Sequence, residues 1–172
     1  MSRIRETHAS EFGSEPSIVT DAPTVATLLG AVGGQNDGVC LRIVTPPSVH
    51  VAVRRREDSV ARFSAPDLKE RKRASLATIR GRKEDRWARL PKAVVQLLVS
   101  QGIVTSGVDV TVESGAPPGC GLSLTSAFAT ALIRALSELF GTEITTERLL
   151  QLVERLGSHY LKLEAAQVAR LK

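Results

Sequence analysis

Residues 113–127 read ESGAPPGCGLSLTSA, and they separate a strand pattern from a helix pattern. On the N-terminal side, Val108, Val110 and Val112 alternate with polar residues, which is the period of a half-buried strand. On the C-terminal side, apolar residues recur at helical spacing from 128 to 139, and Gly141 is a natural helix stop. The sequence therefore predicts a strand, a Gly/Pro-rich loop and a helix in direct succession.

This loop has the chemistry of an anion-binding site. Glycine residues let the backbone approach an oxygen atom closely, and the first N–H groups of a helix lack intrahelical partners and lie at its positive end. The hydroxyl groups of Ser123, Thr125 and Ser126 are suited to a phosphate or a phosphate-bound Mg²⁺. The alternative is an ordinary strand–turn–helix connection in which these residues only cap the helix. Because short Gly-rich motifs are common, the loop alone does not decide between the two.

The composition is that of a globular chain with one concentrated region of charge. The 172 residues are enough for one domain with a core, and 42% of them are hydrophobic. Ten Lys and Arg residues against three acidic ones give the segment 69–92 a charge of +7, although the whole chain carries only +5. We expect a solvated loop or helix face here, and no nucleic-acid partner, because Trp87 is the segment's single aromatic residue.

The cysteine and histidine residues do not form a recognisable catalytic or metal-binding pattern. Cys40 and Cys120 lie far apart in sequence, and neither a secretory segment nor a long apolar run accompanies them. We therefore expect reduced thiols in a cytoplasmic protein without a membrane segment. Cys120 is either a small packing residue or a thiol made reactive by the helix N-terminus.

The remaining patterns predict an α+β fold, a mixed sheet with helices packed on one face. Residues 1–21 are polar and poorly patterned, so we expect a loose N-terminal arm before a folded part at 22–172. Strand patterns, the first of them also compatible with a helical turn, occupy 22–29, 39–44, 49–53 and 60–63, with a turn expected at 45–48. Helix patterns occupy 93–102, 146–156 and 160–171.

The loop resembles the phosphate-binding motif of the GHMP small-molecule kinases, P-x-G-x-G-L-(S/G)-S-S-A. Upstream, Ala22-Pro23, Leu28-Leu29-Gly30 and residues 36–41 (NDGVCL) resemble, in register, the galactokinase signature A-P-G-R-V-N-L-I-G-E-H-T-D-Y-N-G-G. Residues 49–58, Trp87 and the helix after it also fall where galactokinases have a strand, a tryptophan and a helix. The resemblance covers about residues 21–160 and implies the fold of the GHMP N-terminal domain, with ATP bound at the loop. It assigns nucleotide and phosphate binding to Pro118, Gly119, Cys120, Gly121, Leu122, Ser123, Leu124, Thr125 and Ser126.

At several positions where the family has functional residues, this chain has residues that cannot play the same role. The basic residue near the transferred phosphate falls on Val25, and the carboxylate that assists the attacking hydroxyl falls on Ala169. The Glu, His and Asp that hold the sugar fall on Ala31, Val32 and Gly34, which leaves Asn36 and Asp37 as weak sugar-binding candidates. An apolar replacement would leave sugar hydroxyls unpaired. In the loop, Leu124 replaces a serine, whereas Thr125 keeps a hydroxyl at the position of the Mg²⁺ ligand.

The resemblance implies transfer of the ATP γ-phosphate to the 1-hydroxyl of galactose, with Mg²⁺ as cofactor. Because several members of the catalytic set are replaced together, we expect little or no activity from this copy. We also expect the family's C-terminal domain to be absent from this chain. Three alternatives remain: a kinase for another small metabolite completed by a partner chain, a nucleotide- or sugar-sensing module that binds a protein partner or a second copy, and a nucleic-acid binder based on the basic segment.

Overall fold

The computed structural model describes residues 2–30, 39–117 and 120–164. The described helices are α1 (Ser2–Phe12), α2 (Arg89–Ser100), α3 (Leu124–Leu139) and α4 (Thr146–Arg155). The described strands are β1 (Ile18–Leu29), β2 (Leu41–Arg55), β3 (Val60–Ala65), β4 (Glu70–Ser75) and β5 (Val108–Ser114). They form one mixed sheet in the order β1-β2-β5-β3-β4, in which β3 and β5 are parallel and all other neighbours are antiparallel. The predicted α+β class is confirmed.

The first hairpin of the sheet is longer than the sequence indicates. β2 runs without a break through the expected turn at 45–48, and its antiparallel partner is β1, so the prediction of two short strands was wrong. Between the pairs Pro23–Ser48 and Thr24–Thr45 the register shifts, and Pro46 and Pro47 form the extra residues. A bulge leaves such residues outside the hydrogen-bond ladder, so prolines are tolerated inside a continuous strand.

The main core lies between one face of the sheet and helices α2, α3 and α4. Valine residues at alternate positions of β2 and β5 point into it, and they pack against leucine, isoleucine and alanine residues of the helices. The buried positions include Val51, Val110, Leu98, Leu132 and Leu152. We call the face of the sheet that packs against these helices the front face.

The opposite, rear face of the sheet is covered by α1, so the expectation of a loose arm at 1–21 was wrong. Ile4 and His8, one helical turn apart, are fully buried. The His8 Nδ1 atom lies 2.8 Å from the Thr111 hydroxyl on β5, and the Arg62 guanidinium lies over the Phe12 ring. Two buried residues in a polar eleven-residue helix give too weak a periodicity to detect in the sequence.

The basic segment and the C-terminus also differ from expectation. Residues 70–75 form the edge strand β4, not a loop or helix, and the exposed Lys and Arg side chains are typical of a protected sheet edge. The helices at 93–102 and 146–156 are confirmed within a few residues as α2 and α4. The helix expected at 160–171 is wrong at its start, because a single π turn ends at Tyr160 and 161–164 is not helical. Residues 165–172 lie outside the described part.

Candidate functional site

The loop begins where β5 leaves the sheet, and backbone hydrogen bonds fix its first residues. The Ser114 N–H donates to Asp67 Oδ2 at 2.9 Å, and the Gly115 N–H donates to the Ser48 carbonyl at 2.9 Å. The Ser114 hydroxyl donates to the Ala116 carbonyl at 2.6 Å. Because neighbouring residues are held by two different elements, this end of the loop has a defined position relative to the sheet.

The loop ends at α3, whose N-terminus is directed toward it. Gly121 has φ +81°, a left-handed conformation that glycine adopts without strain. The Ser123 N–H donates to the Val25 carbonyl on β1 at 3.0 Å, and α3 begins at the next residue. The Ser123 side chain makes no capping hydrogen bond. The capping interpretation of this serine is therefore not supported, and the sequence prediction of strand, loop and helix is confirmed.

A cleft of about 800 Å³ opens beside the start of α3. Its walls combine the loop residues 114–117 with Leu124, Thr125 and Phe128 on one side and the turn before α2 on the other. Its lining is mainly apolar and includes Leu68, Trp87, Leu90 and Leu163. The Trp87 Nε1–H donates to Glu70 Oε2 at 2.9 Å, which fixes the indole ring. Such a cleft suits a flat apolar group attached to a polar one.

Three charged side chains also line the cleft. Arg86 is exposed and has φ +52°, and Arg89 donates to the Leu161 carbonyl. Asp67 is partly exposed and comes from the turn after β3. Arg86, Arg89 and Asp67 were not predicted as site residues. The available sequence signal for these residues was their neighbour Trp87, because a single tryptophan in a charged segment indicates a local apolar surface.

Comparison with known proteins agrees with this geometry. Residues 89–167 match the family model "GHMP kinases N terminal domain". A putative galactokinase of Treponema pallidum is 33% identical over 165 residues, which cover 96% of this chain. By both comparisons the chain is similar to GHMP kinases. A galactokinase of Streptomyces coelicolor is 28% identical over 87% of the chain. The match spans 42% of the Treponema protein and 39% of the Streptomyces protein, so this chain covers less than half of the length of these GHMP kinases.

Solved structures of GHMP kinases have the same fold. A Lactococcus lactis galactokinase in complex with galactose aligns over 95% of this chain and 43% of its own, with TM-score 0.79 and 20% identity. The Methanococcus jannaschii mevalonate kinase aligns over 88% of this chain and 50% of its own, with TM-score 0.70 and 13% identity. At these identities the comparisons show the fold alone. They confirm the predicted resemblance to the N-terminal domain of GHMP kinases.

The structure locates part of the predicted GHMP kinase site. Cys120 and Gly121 are exposed, and Leu122, Ser123, Leu124 and Ser126 are half-buried at the start of α3. Thr125 is exposed on the cleft. Pro118 and Gly119 lie outside the described residues, as do Ala31, Val32, Gly34, Asn36, Asp37 and Ala169. Most of the predicted nucleotide-binding residues therefore lie in the described part of the chain, whereas most of the predicted sugar-binding positions lie outside it.

Val25, the position at which the resemblance places a basic residue, lies beside the end of the loop. Its carbonyl accepts the Ser123 N–H, and its half-buried side chain is apolar. β1 therefore contributes a backbone acceptor at this point and no positive charge. The cations of the cleft, Arg86 and Arg89, lie on the wall formed by the turn before α2 and its first residue.

The described residues contain no group of three or more His, Cys, Asp or Glu side chains that could hold a metal ion by themselves. They do include two oxygen donors in the cleft, the Thr125 hydroxyl and the Asp67 carboxylate. Mg²⁺ in kinase sites is held mainly by substrate phosphates with one or two protein oxygens, so this donor set fits. Within the same described residues, no helix is both long and apolar enough to cross a membrane.

Proposed function

We propose that this chain is a nucleotide-binding domain of the galactokinase type, which binds Mg²⁺·ATP in the cleft beside α3. The observation that carries the proposal is the juxtaposition of a Gly-rich loop, a helix N-terminus and an apolar cleft. The base would lie among Trp87, Leu68 and Leu90. The phosphates would lie at the first turn of α3, where the positive end of the helix dipole favours negative charge.

Each charged group of the cleft has a role in this arrangement. Arg86 and Arg89 supply the positive charge that phosphates require, and Arg can contact a phosphate with two N–H groups. The Thr125 hydroxyl and the Asp67 carboxylate are the protein oxygens for Mg²⁺. Mg²⁺, when bound, neutralises the charge that develops on the transferred phosphoryl group. The chain's own residues therefore bind and orient the nucleotide.

We further propose that galactose is not a substrate of this chain alone. Transfer to the galactose 1-hydroxyl needs residues that orient the sugar and a cation near the transferred phosphate. The sugar-holding family positions carry Ala31, Val32 and Gly34, and Val25 brings no charge to the loop. This chain would bind ATP and turn it over slowly or not at all, which is the behaviour of a pseudokinase.

An interaction module is the second candidate, because one observation favours it. The far end of the β1–β2 hairpin exposes Leu28, Leu29, Leu41 and Val44, and Val39 beside it is 94% exposed. An apolar surface of this kind suits a protein partner, a second copy or a completing chain. In this case nucleotide binding would regulate an association instead of a reaction, and ATP would change the oligomeric state without being consumed.

Calorimetric titration with Mg²⁺·ATP, with and without galactose, tests the proposed function. We expect saturable ATP binding that galactose does not change. Thr125→Ala should weaken ATP binding about tenfold, which is about 1.4 kcal/mol, because a hydroxyl contact to a charged ligand is lost. The matched control is Thr105→Ala, an exposed threonine away from the cleft, which should bind ATP as the unaltered protein does. No ATP binding would overturn the proposal. Tighter ATP binding in the presence of galactose would contradict the proposal that galactose is not a substrate of this chain.

A further inference from the structure

The base of the loop, residues 113–115, is not supported by packed side chains from behind. A cavity of about 210 Å³ lies there, between α1, the interior of β2 at His50 and the end of β5, with Asp67 also in its lining. Ile4, His50 and Glu113 are among its walls, and it shares Ser114 and Gly115 with the larger cleft on the front side. Well-packed interiors hold their parts in place by contact. Here the position of the loop base depends on individual hydrogen bonds.

Glu113 is the buried group in this region, and its partner comes from α1. The residue is only 8% exposed, and its side chain lies on the rear face next to the loop. The Thr7 hydroxyl lies 2.8 Å from Glu113 Oε1 and 2.9 Å from the Arg3 carbonyl. A hydroxyl has one proton, and a carboxylate is the stronger acceptor. Arg3 lies 3.9 Å from Glu113 Oε2, but its side chain is 80% exposed and adds little.

The next residue is held from another direction. The Ser114 N–H donates to Asp67 Oδ2, so adjacent residues of β5 are bound to α1 and to the turn after β3. α1 itself has further contacts with the sheet. Glu11 accepts from Arg71 and Ser64, and His8 is bonded to Thr111. Loss of the Thr7 hydroxyl would therefore leave α1 in place and remove its hydrogen bond to Glu113, so that the loop base is held less firmly, by Asp67 and the Ser48 carbonyl.

We propose that Thr7 and Glu113 are positioning residues for the phosphate loop, so that α1 sets the nucleotide affinity from the rear face of the sheet. The inference rests on the proposed function for its ligand. It predicts different effects on the binding of the phosphates and of the base. The phosphates contact the loop and depend on its position, whereas the base contacts the cleft wall at Trp87 and Leu90 and does not.

The test compares ATP and adenosine binding to Thr7→Val, a substitution that keeps the side-chain shape and removes the hydroxyl. We expect Mg²⁺·ATP to bind about five- to tenfold more weakly and adenosine to bind unchanged. Thr7→Ser should restore the ATP affinity. The matched control is Glu11→Gln, which weakens an equally near contact of α1 at Arg71, away from the loop, and should leave both affinities unchanged.

Hydrogen exchange gives a second readout that needs no nucleotide. The backbone amides of Ser114 and Gly115 should exchange faster in Thr7→Val than in the unaltered protein, and Glu11→Gln should not change them. If Thr7→Val does not fold, Glu113→Gln replaces it, with the same direction and a smaller effect, because a neutral acceptor remains. Unchanged ATP affinity and exchange, or equal losses for ATP and adenosine, would overturn the proposal. If the unaltered protein does not bind ATP, the proposed function fails, and the exchange result alone decides whether Thr7 positions the loop.

Discussion

The two faces of β5 consist of alternate residues of one seven-residue strand, and they differ in chemistry. On the front face, Val108, Val110 and Val112 join the hydrophobic core under α2 and α3. On the rear face, Asp109, Thr111 and Glu113 are buried too, but each is held by polar partners on α1, on β3 or directly after β2. Non-directional apolar packing therefore holds one side, and directional hydrogen bonds hold the other.

The two layers make different contributions to the site. Apolar burial supplies most of the folding free energy, and it is non-directional. Hydrogen bonds to buried charges contribute less net free energy, but they fix distances to within a few tenths of an ångström. The front layer thus makes the domain stable, and the rear layer determines where β5 delivers the loop.

The largest predicted effect is on the front face. Leu132→Ala removes a fully buried side chain of α3 and should reduce the free energy of unfolding by about 3 kcal/mol, because the cavity cannot collapse completely. The control is Leu150→Ala on α4, where the side chain is 40% exposed and the loss should be below about 1 kcal/mol. Chemical denaturation measures both. Similar losses at the two positions would contradict the location of the core.

The second predicted effect, on the rear face, depends on pH. Burial is the main cause that lowers the pKa of His8 from 6.5 to about 4, with Asp109 opposing the shift and Arg54 and Arg62 adding to it. Between these values the unfolded chain binds a proton that the folded chain does not. Stability should therefore fall as the pH falls from about 6.5 to about 4, by up to about 3 kcal/mol. His8→Asn should flatten this part of the curve in denaturation measured across pH. If His8→Asn leaves the pH dependence of stability unchanged, His8 is accessible to solvent in the folded protein and the prediction is wrong.

The third prediction concerns the ion pairs of the same face. Asp109 accepts from Arg62 at 2.6 and 2.7 Å and lies 3.3 Å from Arg56. Asp109→Ala should cost about 2 kcal/mol, less than the loss of a fully buried pair, because both guanidinium groups can reach water. The exposed Asp58, which also pairs with Arg56, is the control and should matter much less. Thermal unfolding separates the two variants.

The sequence predicted the front layer well, because apolar periodicity is the signal that burial in one face produces. β5, α3 and the loop between them follow directly from the alternation at 108–112 and the helical spacing at 128–139. The rear layer could not be predicted in this way. Its buried residues are polar, so Asp109 and Glu113 have the same pattern as solvent-exposed positions of a half-buried strand. Their burial depends on α1, which is distant in sequence.

The candidate site could likewise be predicted only in part from the sequence. Glycine, proline and hydroxyl residues in a short segment indicated the loop, and the family resemblance supplied the nucleotide. Asp67 reaches the cleft from the turn after β3, whereas Arg86 and Arg89 reach it from the turn before α2 and the first residue of α2. No local pattern marks this convergence. Arg86 also adopts a positive φ that its sequence does not predict. Long-range convergence of single residues is visible only in the fold.

Hydrogen exchange with and without Mg²⁺·ATP would locate the bound nucleotide on the chain. We expect slower exchange at two places: residues 120–127, at the start of α3, and the cleft wall around Trp87, with α4 unchanged. No change at either place, or slower exchange confined to the basic edge strand β4, would contradict a nucleotide site beside α3. The latter result would instead assign the phosphate contacts to the charged edge of the sheet.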